Sequence, residues 1–225
     1  MESVLLVAAT ALETQGLRKT LELKQVNPDV FEGLFRTKKL RLLHTGIGMV
    51  NAAWKLGGYL AHQAPDFALH LGIAGSFDPA IGIGEAVEVR QNTFAELGAE
   101  DGDRFLSLEE MSFPLFREND QSVYNTLLNP HPALTKLPQV HSITVNRVHG
   151  AEKSIEKTQA LWHPQIESME GAAFFLAMRQ SGIPFAEIRT ISNRVERRNR
   201  AQWDIPAALA QLDSVILRIL EDMFP

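Results

Sequence analysis

Two short stretches, Glu167-Ser168-Met169-Glu170-Gly171-Ala172 and Thr190-Ile191-Ser192-Asn193-Arg194, place polar side chains where a buried strand should meet a helix or loop. Open α/β sheets build their ligand crevices at such junctions. The carboxylate of Glu170 has enough acceptor sites to take both hydroxyls of a diol, and the carboxamide of Asn193 can donate to one atom of a base while accepting from its neighbour. Together the two point to a nucleoside, gripped by its sugar and read by its base.

Alternating strand and helix patterns surround these residues. Val4–Ala9 is a continuous run of small and β-branched apolar residues, which predicts a buried first strand. Helical spacing follows over 12–23, then a hairpin-like pair near 34–37 and 40–43 that leads into Gly46-Ile47-Gly48. A helix is expected over 49–63, ended by Pro65, and strands over 67–71, 86–89, 140–145 and 185–191. Two more helices are expected: 170–180, ending at Gly182, and 204–223, with Asp204 as N-cap and Pro206 in its first turn. The stretch 93–138 mixes acidic residues with Pro114, Pro130, Pro132 and Pro138, and is expected to form long loops with short helices. The pattern as a whole predicts an α/β fold around a mostly parallel or mixed, largely buried sheet.

Composition narrows the function classes. A chain of 225 residues suits one domain with a full core, and its 45% apolar and 22% charged residues are ordinary for a globular protein. A net charge of −5 argues against nucleic-acid binding. With no cysteine, thiolate metal sites, disulfides and cysteine nucleophiles are excluded, and the seven histidines include no i, i+4 pair suited to zinc. The run Val4-Leu5-Leu6-Val7 is too short to span a membrane and lacks the basic start of a secretory leader. The expectation is a cytoplasmic protein that uses neither metal nor cofactor and does not bind membranes.

Commoner nucleotide motifs are absent. Gly46-Ile47-Gly48 lacks the third glycine of a dinucleotide fingerprint, and no phosphate-loop G-x-x-x-x-G-K-[S/T] exists. Ser76 in Ala74-Gly75-Ser76-Phe77-Asp78 does not sit in a nucleophile elbow. What remains is a set of glycine turns at strand ends, where main chain can approach a flat or oxygen-rich ligand.

Five segments, in order, carry a resemblance: Ala9-Thr10-Ala11-Leu12-Glu13, His44 to Ala53 (H-T-G-I-G-M-V-N-A-A), Leu71 to Ser76 (L-G-I-A-G-S), Glu167 to Ala173 (E-S-M-E-G-A-A), and Ile191 to Asp204 (I-S-N-R-V-E-R-R-N-R-A-Q-W-D). With them the chain resembles the purine nucleoside phosphorylase and methylthioadenosine nucleosidase superfamily, and within it the futalosine hydrolases most closely. The resemblance implies a single α/β domain spanning 1–225, with a twisted, partly closed mixed sheet surrounded by helices. It also implies hydrolysis of a purine nucleoside's N-glycosidic bond, and a dimer or larger homo-oligomer.

The same resemblance implies roles for individual residues. Glu13 matches the glutamate that activates water, although Thr10-Ala11-Leu12-Glu13 also reads as a capping box. Glu170 matches the ribose-binding carboxylate, with Met169 against the sugar, and Ala74 and Gly75 admit the base and sugar close to the main chain. Adenosine-type nucleosidases carry aspartate where Asn193 stands; an amide that donates to a 6-oxo group and accepts from a protonated N7 fits hypoxanthine. His149 and Gly150 fall near the position of a base-sandwiching pair. Related phosphorylases hold phosphate with an arginine and a serine where this chain has His70 and Ile73, which favours water as the nucleophile. The substrate futalosine carries a carboxylate on its 5′ side, and one of Arg194, Arg197, Arg198 and Arg200, with Arg197 as the choice, is expected to hold it. Trp203 either walls the same pocket or anchors the last helix.

The leading expectation is therefore a cofactor-free hydrolase that splits futalosine into hypoxanthine and dehypoxanthine futalosine on a menaquinone route. Its alternatives are a methylthioadenosine/S-adenosylhomocysteine nucleosidase, a phosphate-dependent phosphorylase, and a non-catalytic nucleoside-binding protein in which Glu13 is only a cap.

Overall fold

The computed structural model describes residues 1–225. Strand β1 (Ser3–Ala8) runs into a short helix α1 (Gln15–Thr20), followed by β2 (Lys24–Asn27), β3 (Val30–Phe35), β4 (Lys38–His44) and helix α2 (Met49–Leu60). Two long strands come next, β5 (Phe67–Ser76) and β6 (Ala86–Phe94), then the short strands β7 (Gly98–Asp101), β8 (Arg104–Ser107), β9 (Phe116–Glu118), β10 (Gln121–Val123) and β11 (Thr126–Leu128). The chain ends with β12 (Gln139–Thr144), α3 (Glu152–Trp162), β13 (Ile166–Ser168), α4 (Gly171–Ser181), β14 (Phe185–Arg194) and α5 (Ile205–Met223).

β1 lies between β4 and β5, parallel to both, and β5 is also parallel to β14. β14 pairs β6, β6 pairs β12, β12 pairs β13, and β13 returns to the end of β5, so one part of the sheet closes into a ring. The other part stays open, running out through β4 and β3 to β2. This is the mixed, partly closed sheet that the resemblance implied.

β1 shows why the sheet must be covered on both faces. Its alternate side chains enter two different cores: Leu5 and Val7 pack with Leu56 of α2 and Phe174 and Phe175 of α4, while Val4, Leu6 and Ala8 pack with Leu17 of α1 and Leu212, Ile216 and Ile219 of α5. A strand buried on both faces needs an unbroken apolar run, as this one has.

Three expectations are corrected. The region 93–138 holds no helix: it forms two hairpins, β7 with β8 and β9 with β10, and then β11 pairs the end of β6. Asn119 and Asp120, both at positive φ (48° and 64°), form the two-residue turn of the second hairpin, where left-handed backbone matches strand twist. The helix expected over 12–23 shrinks to Gln15–Thr20, because Thr10 to Glu13 form a separate turn. Helix α3 was not anticipated; its polar sequence buries only Ile155, so hydrophobic periodicity is weak there.

Candidate active site

The ends of β5, β13 and β14, with the segments that follow β1, β12, β13 and β14, enclose a cleft of about 390 Å³, lined among others by Glu13, Ala74, Gly75, Met169, Glu170 and Asn193. A larger groove, about 780 Å³, runs between residues 133–137 and α5, but it holds none of the groups singled out above. The cleft sits where parallel strands end, as expected for an open α/β sheet.

Glu13 satisfies both of its readings. Its Oε2 accepts from the Thr10 amide (2.9 Å) and hydroxyl (3.0 Å), and its own amide donates to Thr10 Oγ1 at 3.5 Å. The capping-box bonds therefore form, yet α1 begins only at Gln15 with Thr14 as its cap residue. They close a turn that presents the carboxylate to the cleft floor, where Oε1 accepts from the Ile73 amide at 3.3 Å.

Glu170 is held from across the cleft. Its Oε1 accepts from the Gly48 amide at 2.8 Å, and Gly48 adopts φ 93°, a conformation that L side chains rarely take. The Gly46-Ile47-Gly48 turn thus anchors a carboxylate from a distant segment. Burial pushes the Glu170 carboxyl up; nearby Arg189 and the Gly48 amide oppose that shift, and Glu13 and Glu187 reinforce it.

Sequence reasoning missed Arg189. It is completely buried in β14, with Nε donating to Glu187 Oε1 at 2.7 Å and Nη2 lying 3.1 Å from both ring nitrogens of His70. Asn92 Nδ2 donates to the other oxygen of Glu187 at 3.2 Å. Burial pushes His70 down to about 4, with Arg189 adding to the effect, so the ring is neutral and accepts from the guanidinium. Burial pushes Glu187 up, but Arg189 and His70 outweigh it and leave it at about 2. Arg189 Nη1 has no protein partner. A methyl group at Gly72 would overlap Nη1 and sit 2.6 Å from Glu13 Oε1, so the guanidinium and the Glu13 carboxylate share one small space kept open by a glycine. An arginine is therefore present after all, on β14, the strand paired with the segment of β5 that carries His70. The signal for it was Glu187 and Arg189 at i, i+2 between the apolar residues Ala186, Ile188 and Ile191, both facing one side.

A bulge aims Asn193. Ile191 pairs Ala74 and Asn193 pairs Gly75, leaving Ser192 as the extra residue in β14. Asn193 Oδ1 accepts from Ser192 Oγ at 2.8 Å and Nδ2 donates to the Arg194 carbonyl at 2.9 Å. Each amide atom keeps one further hydrogen-bonding position.

The remaining candidates divide. Ala74, Gly75 and Met169 line the cleft. His149 lines it too, but as a fixed group: Nδ1 lies 2.6 Å from Glu167 Oε2 and Nε2 lies 2.8 Å from Thr158 Oγ1. Gly150 is not on the wall; it lies behind Arg198, whose amide reaches the Gly150 carbonyl at 3.4 Å. The choice of Arg197 is also corrected. Arg197 is exposed on a separate depression with Glu152, Glu156 and Glu196, because the chain turns after Val195. Arg198 is the arginine on the cleft, its guanidinium 5.1 Å from the Trp203 ring centre, and Trp203 lines the cleft as well. Arg194 is committed elsewhere, donating to the carbonyls of Asp78 (2.6 Å), Ile81 (2.7 Å) and Pro79 (3.1 Å).

Known proteins share this chain's sequence pattern and its architecture. The family model of the phosphorylase superfamily matches residues 3–221. A futalosine hydrolase from Thermus thermophilus is 32% identical, with 80% of each chain covered, and another from Acidothermus cellulolyticus is 31% identical over 93% of this chain and 86% of its own. Among solved structures, a 5′-methylthioadenosine/S-adenosylhomocysteine nucleosidase from Neisseria meningitidis, in complex with methylthio-immucillin-A, superposes with a TM-score of 0.82 over 99% of this chain and 100% of its own; at 18% identity this likeness speaks for the fold. A match running from the first strand into the last helix settles the family: the chain belongs to the phosphorylase superfamily.

Proposed function

We propose that this chain, acting as one nucleoside hydrolase domain over residues 1–225, hydrolyses the N-glycosidic bond of futalosine to hypoxanthine and dehypoxanthine futalosine, a step of menaquinone biosynthesis. The observation that carries the reading is the convergence of Glu13, Glu170 and Asn193, from three distant segments, on one cleft. Identity to two futalosine hydrolases over most of the chain supports the choice of substrate.

Breaking the bond leaves positive charge on the ribosyl group and negative charge on the departing purine. Glu170, as a carboxylate, accepts from both ribose hydroxyls and places negative charge beside the developing cation. Glu13 takes a proton from water as the water oxygen bonds to the anomeric carbon, and the electron pair of the C–N bond leaves with the purine. Arg189 Nη1, unpaired and next to Glu13, donates to that water and orients it. A solvent water protonates N7 as the C–N bond breaks, so hypoxanthine leaves neutral; Asn193 Oδ1 accepts the new N7–H, Nδ2 donates to O6, and Glu13 returns its proton to solvent. Acid–base help of this kind contributes about 10²–10⁴ in rate. Arg198, beside Trp203 at the mouth, takes the 5′ carboxylate in the role first given to Arg197.

Incubation with futalosine and, separately, methylthioadenosine in phosphate-free buffer tests this reading. Hypoxanthine from the first and little adenine from the second are expected. Adenine as the main product would favour a methylthioadenosine/S-adenosylhomocysteine nucleosidase. Turnover only with phosphate would make the chain a phosphorylase that uses Arg189. Bound ligand without turnover would reduce Glu13 to its bonds with Thr10.

The chain also fits a homo-oligomer, which we place in the cytoplasm: Ile47, in the turn before α2, and Val50 and Trp54 on α2 expose 58%, 75% and 78% of their surface beside the cleft mouth. Sedimentation of the purified chain checks this. No helix is long and apolar enough to cross a membrane.

A further inference from the structure

We propose that Glu167, fixed by His149, reads the N1 edge of the purine and is a second specificity determinant beside Asn193; the inference rests on the nucleoside-hydrolase reading above. Glu167 is 3% exposed yet lies on the cleft wall. Antiparallel pairing of β13 with β5 sets it opposite Gly75, and parallel pairing of β14 sets Asn193 opposite the same glycine from the other side. A Cβ at Gly75 would lie 3.1 Å from Asn193 Nδ2 and 3.6 Å from Glu167 Cγ, with Val195 Cγ2 closer still at 2.9 Å, so the two side chains converge on a glycine that has no room for a side chain of its own. Glu13 reaches β5 two residues earlier, at Ile73. Along β5 the water-activating end therefore lies on one side and the Glu167–Asn193 pair at the other, about 6–7 Å away.

Glu167 is held by one residue. The His149 amide donates to Oε1 at 3.0 Å, and His149 Nδ1 donates to Oε2 at 2.6 Å while Thr158 Oγ1 sits 2.8 Å from Nε2. Each carboxylate oxygen keeps acceptor capacity, and neither can swing away. A 6-oxopurine carries hydrogen on N1; a 6-aminopurine presents a lone pair there. A carboxylate accepts from the first and confronts the second. A carboxamide has both a donor and an acceptor, so Asn193 alone is the looser filter, and the acceptor-only group is the stricter one.

Calorimetric titration of hypoxanthine, adenine and 1-methylhypoxanthine into the full chain and into Glu167→Gln tests the assignment. The unaltered chain should bind hypoxanthine at least about 10-fold more tightly than either other base, and Glu167→Gln should cut the hypoxanthine-to-adenine preference by about 10- to 100-fold, since the amide can donate to adenine N1. If Glu167 serves only to anchor the 146–150 turn, the variant will weaken both bases equally and keep their ratio, which overturns the proposal. Should the variant fail to fold, the unaltered chain decides: binding of 1-methylhypoxanthine within about 3-fold of hypoxanthine also overturns it. Hypoxanthine release from futalosine by the same preparation separates the two failures. Release with no N1 discrimination defeats only the role of Glu167, whereas no release and no base binding defeats the functional reading and this inference with it.

Discussion

At the floor of the cleft, Glu13, Glu170 and Arg189 are buried, and each is tied to main chain or to other buried side chains. At its rim, Arg198 is exposed, with only a partly buried Trp203 stacked against it above the short 3-10 turn Arg200–Gln202. The floor is preorganised: its charges are in place before any ligand arrives, where water screens them little. The rim is adjustable and solvated, so its charge contributes modestly and responds to salt. Under the proposed function, the bond-breaking chemistry belongs to the floor and the choice of 5′ substituent to the rim.

Substitutions at the two ends should therefore differ in size and in kind. The largest loss is expected from Glu13→Gln, a fall in kcat of about 10²–10⁴ with hypoxanthine binding retained, measured by single-turnover base release alongside calorimetry. A kcat unchanged by this substitution would leave Glu13 as part of a turn. Asn193→Asp sits between floor and rim. It should move the ratio of kcat/KM for futalosine over methylthioadenosine towards the adenine nucleoside by about 10² or more, because a carboxyl group can give a proton to N7 and accept from the amino group. At the rim, Arg198→Ala should raise KM for futalosine by about 10-fold and leave inosine, which lacks the 5′ carboxylate, unaffected. The effect should shrink as salt rises. Arg197→Ala should change neither.

The buried histidines and Glu187 also predict a stability profile. Burial holds both His70 and His141 at about 4, below the unfolded value of about 6.5, so the unfolded chain takes up protons first as pH falls. Their contribution is whole above about pH 6.5 and is lost as pH falls towards about 4. Glu187, lowered to about 2 from 4.5, adds stability that is present above pH 4.5 and lost as pH falls through about 2. Thermal melts from pH 8 to 3 should show Tm falling in that order; a His70→Asn variant that keeps its fold should flatten the first decline.

Much of this was legible in the residues, for reasons specific to each. Val4–Ala8 could be read as a strand buried on both faces because its apolar run is unbroken, and Asp204 with Pro206 marked the start of α5, where Asp204 does accept from the Ala207 amide at 2.9 Å. Glu170 and Asn193 stood out as polar groups at strand ends. Arg189 did not, because a buried charge is recognisable only with its partners, and His70 lies 119 positions away. Arg197 was chosen over Arg198 because four arginines within seven positions look alike until the turn after Val195 decides which one faces the cleft. The hairpins of 93–138 were hidden by proline content, although Asn119-Asp120 was a turn signal.

The central claim is that water, activated at the floor, attacks futalosine at the anomeric carbon. Turnover of futalosine in ¹⁸O-labelled water without phosphate, with both products analysed by mass spectrometry, tests it most directly. The account predicts hypoxanthine without label and one ¹⁸O on the sugar-derived product. Absence of label in that product, or release that begins only when phosphate is added, would contradict it.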